Sequence, residues 1–100
     1  MRLSRFEITQ IKELARNHFG DHVKVYLFGS RTDDTKRGGD IDLLIQHKQA
    51  ESLTLQAKVR FLAQLKQKIG EQKIDVVLDN SVSKRKTTFY QSILKHAVSL

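Results

Sequence analysis

The chain has 100 residues, 39% of them hydrophobic, and 18 Lys and Arg against 11 Asp and Glu give it a formal charge of +7. That length accommodates one domain, residues 1–100, with a small core rather than two domains; with no cysteine present, disulfides and thiolate metal sites are excluded. The positive balance favours anionic partners such as nucleotides, nucleic acid or an acidic protein surface, against the plainer reading of a solvated basic exterior.

The opening stretch "MRLSRFEITQIKEL" has no signal-like apolar run. No segment offers the ~18 apolar residues a bilayer span needs, so a cytoplasmic location without membrane contact is expected. Ile8, Ile11, Leu14 and Ala15 recur at helical spacing, and Gly20 follows as a stop. "VKVYLF", residues 23–28, is short, β-branched and aromatic, which predicts a strand. "DIDLLI", residues 40–45, predicts a second. Leu55, Val59, Leu62, Leu65 and Ile69 predict one face of a long helix closed by Gly70. "KIDVVL", residues 73–78, predicts a third strand, and the basic "SKRK" leads into a terminal helix in "TTFYQSILKHAVSL". The order α-β-β-α-β-α implies an α/β (α+β) two-layer sandwich: a small mixed sheet with helices packed on one face.

Chemistry concentrates in "LFGSRTDDTKRGGDIDLLI", residues 27–45. Side chains alternate along a strand, so Asp40 and Asp42 share one side while Ile41, Leu43 and Ile45 turn to the core. Two adjacent carboxylates repel, and one acquires a raised pKa unless a cation intervenes. Mg²⁺ suits such a pair, being held by one or two carboxylates plus substrate phosphates. Asp75 interrupts the apolar third strand. If that strand runs parallel to the second, Asp75 stands beside the pair and a two-metal site becomes plausible. Asp79 is a weaker candidate, about 13 Å further along an extended chain.

Gly29 and Ser30 end the first strand. If the first two strands are antiparallel neighbours, Gly-Ser and the aspartates share one end of the sheet. Glycine permits close backbone approach. The serine hydroxyl and the N–H groups after it could cradle a phosphate, helped if "RTDD" forms a helical turn. The bland alternative makes Asp40 a turn residue and leaves Asp42 and Asp75 at exposed edges. Each motif alone is weak; a Gly-Ser turn, Asp-x-Asp on the next strand and an aspartate on a third form a strong joint signal.

These residues resemble the signature of the polymerase-β-type nucleotidyltransferase superfamily, over roughly residues 23–78. The match is closest to its minimal nucleotidyltransferase (MNT) branch, in the MntA-like antitoxin group. The resemblance implies a polymerase-β-like nucleotidyltransferase fold and transfer of a nucleoside monophosphate from NTP to a hydroxyl, with release of pyrophosphate. In that scheme Asp40, Asp42 and Asp75 are the catalytic and metal-binding residues, holding two Mg²⁺ ions, and Asp75 helps deprotonate the acceptor. Gly29 and Ser30 bind the phosphates of the donor, with ATP as the family-based choice. Arg31 would neutralise phosphate charge, and Lys36 or Arg37 are weaker candidates against a solvated-loop alternative. The branch is typically paired with a helical HEPN-type partner, so a protein adenylyltransferase acting as the antitoxin of a toxin–antitoxin pair is the leading expectation. Little chain follows the third strand to form an acceptor pocket, which points the same way. The alternatives are a non-catalytic nucleotide-binding or partner-neutralising module, and transfer to a small-molecule hydroxyl. Nucleic acid is not required, and homo- or hetero-oligomers are both open.

The remaining features are plainer. "SKRKTTFYQSILKH" is basic with interleaved aromatics and could meet RNA or an acidic partner; a linker and an amphipathic helix packing Phe89, Ile93 and Leu94 is favoured. His18, His22, His47 and His96 lack metal-ligand spacing. Tyr26 is expected to be core or half-buried, and Tyr90 exposed.

Overall fold

The computed structural model describes residues 1–100. Helix α1 spans Arg5–Phe19. Ser4 starts it, accepting the Glu7 N–H while the Glu7 side chain accepts the Ser4 N–H in return, a reciprocal cap that satisfies two otherwise orphaned donors. Strand β1, Lys24–Phe28, runs into a single 3-10 turn at Gly29–Thr32. Strand β2 is Ile41–Gln46, α2 is Leu55–Ile69 and β3 is Ile74–Leu78. A four-residue helix α3, Val82–Arg85, precedes α4, Thr88–His96, and a two-residue strand β4, Val98–Ser99, closes the chain.

The four strands lie in the order β3-β2-β1-β4. β1 pairs antiparallel with β2 and with β4, whereas β2 and β3 are parallel. The mixed sheet follows from connectivity. A turn and loop can reverse β1 into β2, but a parallel neighbour requires a crossover, and α2 provides it.

Alternation then sorts the side chains. Ile41, Leu43 and Ile45 of β2 and Ile74, Val76 and Leu78 of β3 face a core built with Ile11, Leu14, Ala15 and Phe19 of α1 and Phe61 and Leu65 of α2. The Phe19 and Phe61 rings meet at 5.4 Å. Two long helices on one face agree with the sandwich expected from sequence.

The opposite face carries a smaller cluster: Phe28 and Leu44 of the sheet under Tyr90 and Ile93 of α4. The terminal helix therefore sits on the far side of the sheet from α1 and α2. It ends at His96 because the next residues extend to pair with β1.

Two expectations about helix faces are corrected. Leu55 and Val59 are 71% and 58% exposed. The buried row of α2 is Phe61 and Leu65, flanked by Ala57, Leu62 and Ile69. On α4, Phe89 and Leu94 are exposed, and Tyr90, expected outside, is buried beside Ile93. In both helices a parallel row of apolar residues competes for the core, and contact with the neighbouring element decides between them. Tyr26 is half-buried as expected. No helix is long and apolar enough to cross a membrane.

Candidate active site

Two pairings assemble the site. Phe28 lies opposite Asp42 in the antiparallel ladder, which brings Gly29 to the mouth of β2. Asp42 lies in register with Asp75 across the parallel ladder. Both carboxylates project from the face opposite the main core, because Ile41 and Leu43, like Ile74 and Val76, turn inward.

Gly29 has φ +78°, a conformation natural to glycine. A β-carbon there would overlap Oδ2 of Asp42. The absence of a side chain thus lets the turn sit directly against the carboxylate. Gly39, at φ +89°, stands in the same relation to the Ser30 hydroxyl, which a β-carbon at 39 would overlap. The 3-10 turn covers Gly29–Thr32, not the "RTDD" stretch. Asp33 instead closes that turn, and its carboxylate accepts the N–H and hydroxyl of Thr35.

The Asp42 carboxyl is pushed up to about 6. Burial is the main cause; the charge and hydrogen bond of neighbouring Asp75 add to it, Asp40 adds less, and Lys73 opposes them. Asp40 lies just ahead of β2, and its Oδ2 is 3.4 Å from Lys73 Nζ. The structure thus brings Asp42 and Asp75 together and leaves Asp40 alongside, with a lysine as its partner. No three acidic or histidine side chains close into a metal cage. The donor set still suits Mg²⁺. It is all oxygen, carries a repulsive pair that a cation would relieve, and leaves coordination positions for phosphates, which is how this ion is usually held beside nucleotides.

Arg31, expected to neutralise phosphate charge, is held by contacts within the chain. Three of its donors are occupied within the chain, by the carbonyls of Gly39 and Arg2 and by Oε1 of Gln72. Gln72 in turn donates to Glu7. These contacts fix Arg31 behind the turn. Lys36 and Arg37 are exposed, as a solvated loop requires.

Sequence reasoning missed Arg2. Its guanidinium donates to the carbonyls of Ser30, Asp33 and Gly38 at 2.9, 2.9 and 2.7 Å, and its own N–H donates to Arg31 O at 2.7 Å. One side chain thus ties the start, middle and end of the loop linking β1 to β2. These contacts span 28 to 36 residues of sequence, so no local pattern signals them.

Asp79 is separate from this site. It follows the far end of β3, only 5% exposed, and is the one buried charged residue. Arg85 Nε donates to it at 2.6 Å, Tyr90 Oη at 2.7 Å and Gln46 Nε2 at 3.2 Å. This cluster locks α3 and α4 onto the sheet and accounts for part of the basic "SKRK" segment structurally.

A search among curated proteins finds no match to this sequence. The family model described as Polymerase beta, Nucleotidyltransferase matches residues 9–100, and the chain belongs to that family, whose general activity is nucleotidyl transfer.

Proposed function

We propose that this polymerase-β-family nucleotidyltransferase moves a nucleoside monophosphate, AMP by preference, from an NTP to a hydroxyl of a partner protein. The observation that carries the reading is the direct contact of Gly29 with Asp42, which is itself in register with Asp75. A phosphate-approachable turn and two carboxylates in register occupy one end of one sheet.

The acceptor oxygen would bond to the α-phosphorus as the link from that phosphorus to the β-phosphate breaks, and pyrophosphate would depart. The acceptor proton passes to Asp75, which is exposed at the strand entrance while Asp42 is half-buried. Asp42 and Asp75, with Asp40 once it leaves Lys73, are the residues that would hold Mg²⁺; the bound cation supplies neutralisation of charge on the phosphates. Gly29 and the N–H groups that follow it position the donor for in-line attack.

A protein acceptor is supported by apolar side chains left exposed on the C-terminal segment, Val82 and Leu94. A small helical HEPN-type protein is the proposed partner, with this chain as the antitoxin of the pair. A second reading, nucleotide binding without turnover, draws support from Lys73 standing beside Asp40.

The test is transfer of label from α-phosphate-labelled ATP, in Mg²⁺, to the product of the neighbouring gene. Label is expected on that protein and lost in Asp42→Asn. Transfer that persists in an Asp40→Asn, Asp42→Asn double variant overturns the catalytic assignment.

A further inference from the structure

We propose that the cleft between the Gly29–Thr32 turn and α4 receives the nucleoside of the donor nucleotide, with the Phe89 ring as its stacking surface. The inference rests on the donor reading above and adds where base and sugar lie.

The cleft has a volume of about 420 Å³ and starts at Gly29, the residue that backs onto Asp42. That size falls within the usual range for small-molecule sites. Its floor is Phe28 and Ile93, part of the small cluster on the acidic face of the sheet. Its wall is α4, where Phe89, Ser92 and His96 are spaced three and four apart and so share one side of the helix. The loop opposite contributes Lys36 and Asp33, the Asp33 carboxylate being engaged by Thr35.

Phe89 is unusual among these. It is 61% exposed although α4 already anchors itself through Tyr90 and Ile93. Its ring meets Phe28 at 6.3 Å and 80°, edge to face, so its orientation is set while most of its surface stays open. A fixed, open aromatic ring beside a phosphate-approachable turn is what base stacking requires, and such stacking is tolerant of which base is present. A triphosphate over Gly29 and Ser30, with its α-phosphate near Asp42 and Asp75, has this cleft as the adjoining apolar space.

Calorimetry tests this with two probes in Mg²⁺: ATP carrying a methylene between the α- and β-phosphorus, and inorganic tripolyphosphate. Phe89→Ala should weaken the nucleotide about 5- to 150-fold, the span expected for loss of one stacked base, and change tripolyphosphate less than about twofold, since phosphate contacts lie elsewhere. Phe89→Trp should retain nucleotide affinity, and Val59→Ala, exposed on α2 across the sheet from the cleft, should leave both probes unchanged. Equal nucleotide affinity in Phe89→Ala and the unaltered protein overturns the nucleoside subsite and leaves the donor reading standing. An equal loss for both probes also overturns it. If the unaltered protein binds neither probe, the donor reading falls and the subsite with it.

Discussion

Gly29 and Asp42 touch without an intervening side chain: a β-carbon at position 29 would occupy the place of an Asp42 carboxylate oxygen. Gly29→Ala therefore carries two penalties, the left-handed backbone at φ +78° and displacement of Asp42. The backbone part should lower stability by about 1–2 kcal/mol in urea unfolding. The displacement should reduce nucleotidyl transfer at least about 100-fold, since misplacement of reacting groups by about 1 Å has that effect. Gly38→Ala is the control. Position 38 is also left-handed, at φ +64°, but nothing lies within 4 Å of the added atom. It should lose similar stability and keep activity within a few-fold.

The raised carboxyl of Asp42 gives the metal-free protein a pH dependence of defined sign. Its folded pKa of about 6 stands above the 3.8 of an unperturbed aspartate. Between those values the native state holds a proton that the unfolded chain has released, so stability falls as pH rises through the window. Thermal melts without divalent cation should show a lower Tm at pH 7 than at pH 5, with the slope flattened in Asp42→Asn. Added Mg²⁺ should raise Tm more at pH 7 than at pH 5, because it binds the ionised carboxylates. A larger Mg²⁺ effect at pH 5 would contradict this account.

Arg2 holds three carbonyls of the loop between β1 and β2. Arg2→Ala should accelerate hydrogen exchange of amides 31–39 while leaving β2 protected, since local opening is read by exchange. KM for the nucleotide should rise about 10-fold or more as the loop loses its fixed geometry. Arg2→Lys should rescue little, because one ammonium cannot reproduce a planar fork of donors.

Tyr90 donates to buried Asp79 beyond the other end of β3. Tyr90→Phe removes that donor and should lower stability by about 1–3 kcal/mol, the range for leaving a buried acceptor short of a partner. Arg85 and Gln46 remain to share the carboxylate, which favours the lower end. Nucleotide turnover should be little changed, and a loss matching that of Asp42→Asn would show that the two ends of the sheet are coupled.

The strands and the convergence of Asp42 with Asp75 were legible because alternation in a two-sided sheet is a strict rule, and because each aspartate interrupts an apolar run. What stayed hidden depends on contacts distant in sequence. Nothing in α2 states whether the row through Phe61 or the row through Val59 goes inward; Phe19 of α1 settles it by packing on Phe61. The two-residue β4 is too short to show a period. Arg31 sits beside Ser30 in a loop expected to meet phosphate, yet acceptors on Arg2, Gly39 and Gln72 turn it into a brace. Asp40 belongs to the same acidic signature, and its ion pair with Lys73, one residue before β3, joins positions 33 residues apart that no local pattern links.

The position of β3 in the sheet has a consequence for motion. It is an edge strand, hydrogen-bonded to β2 alone, and edge strands open more readily than central ones because half of their main-chain groups face outward. Asp42 is anchored on an interior strand, whereas Asp75 rides on the periphery. Opening of β3 confined to its Asp75 end would part the two carboxylates while Val76 and Leu78 stay in the core with the Phe19–Phe61 pair, so the site can loosen while the body of the protein stays folded.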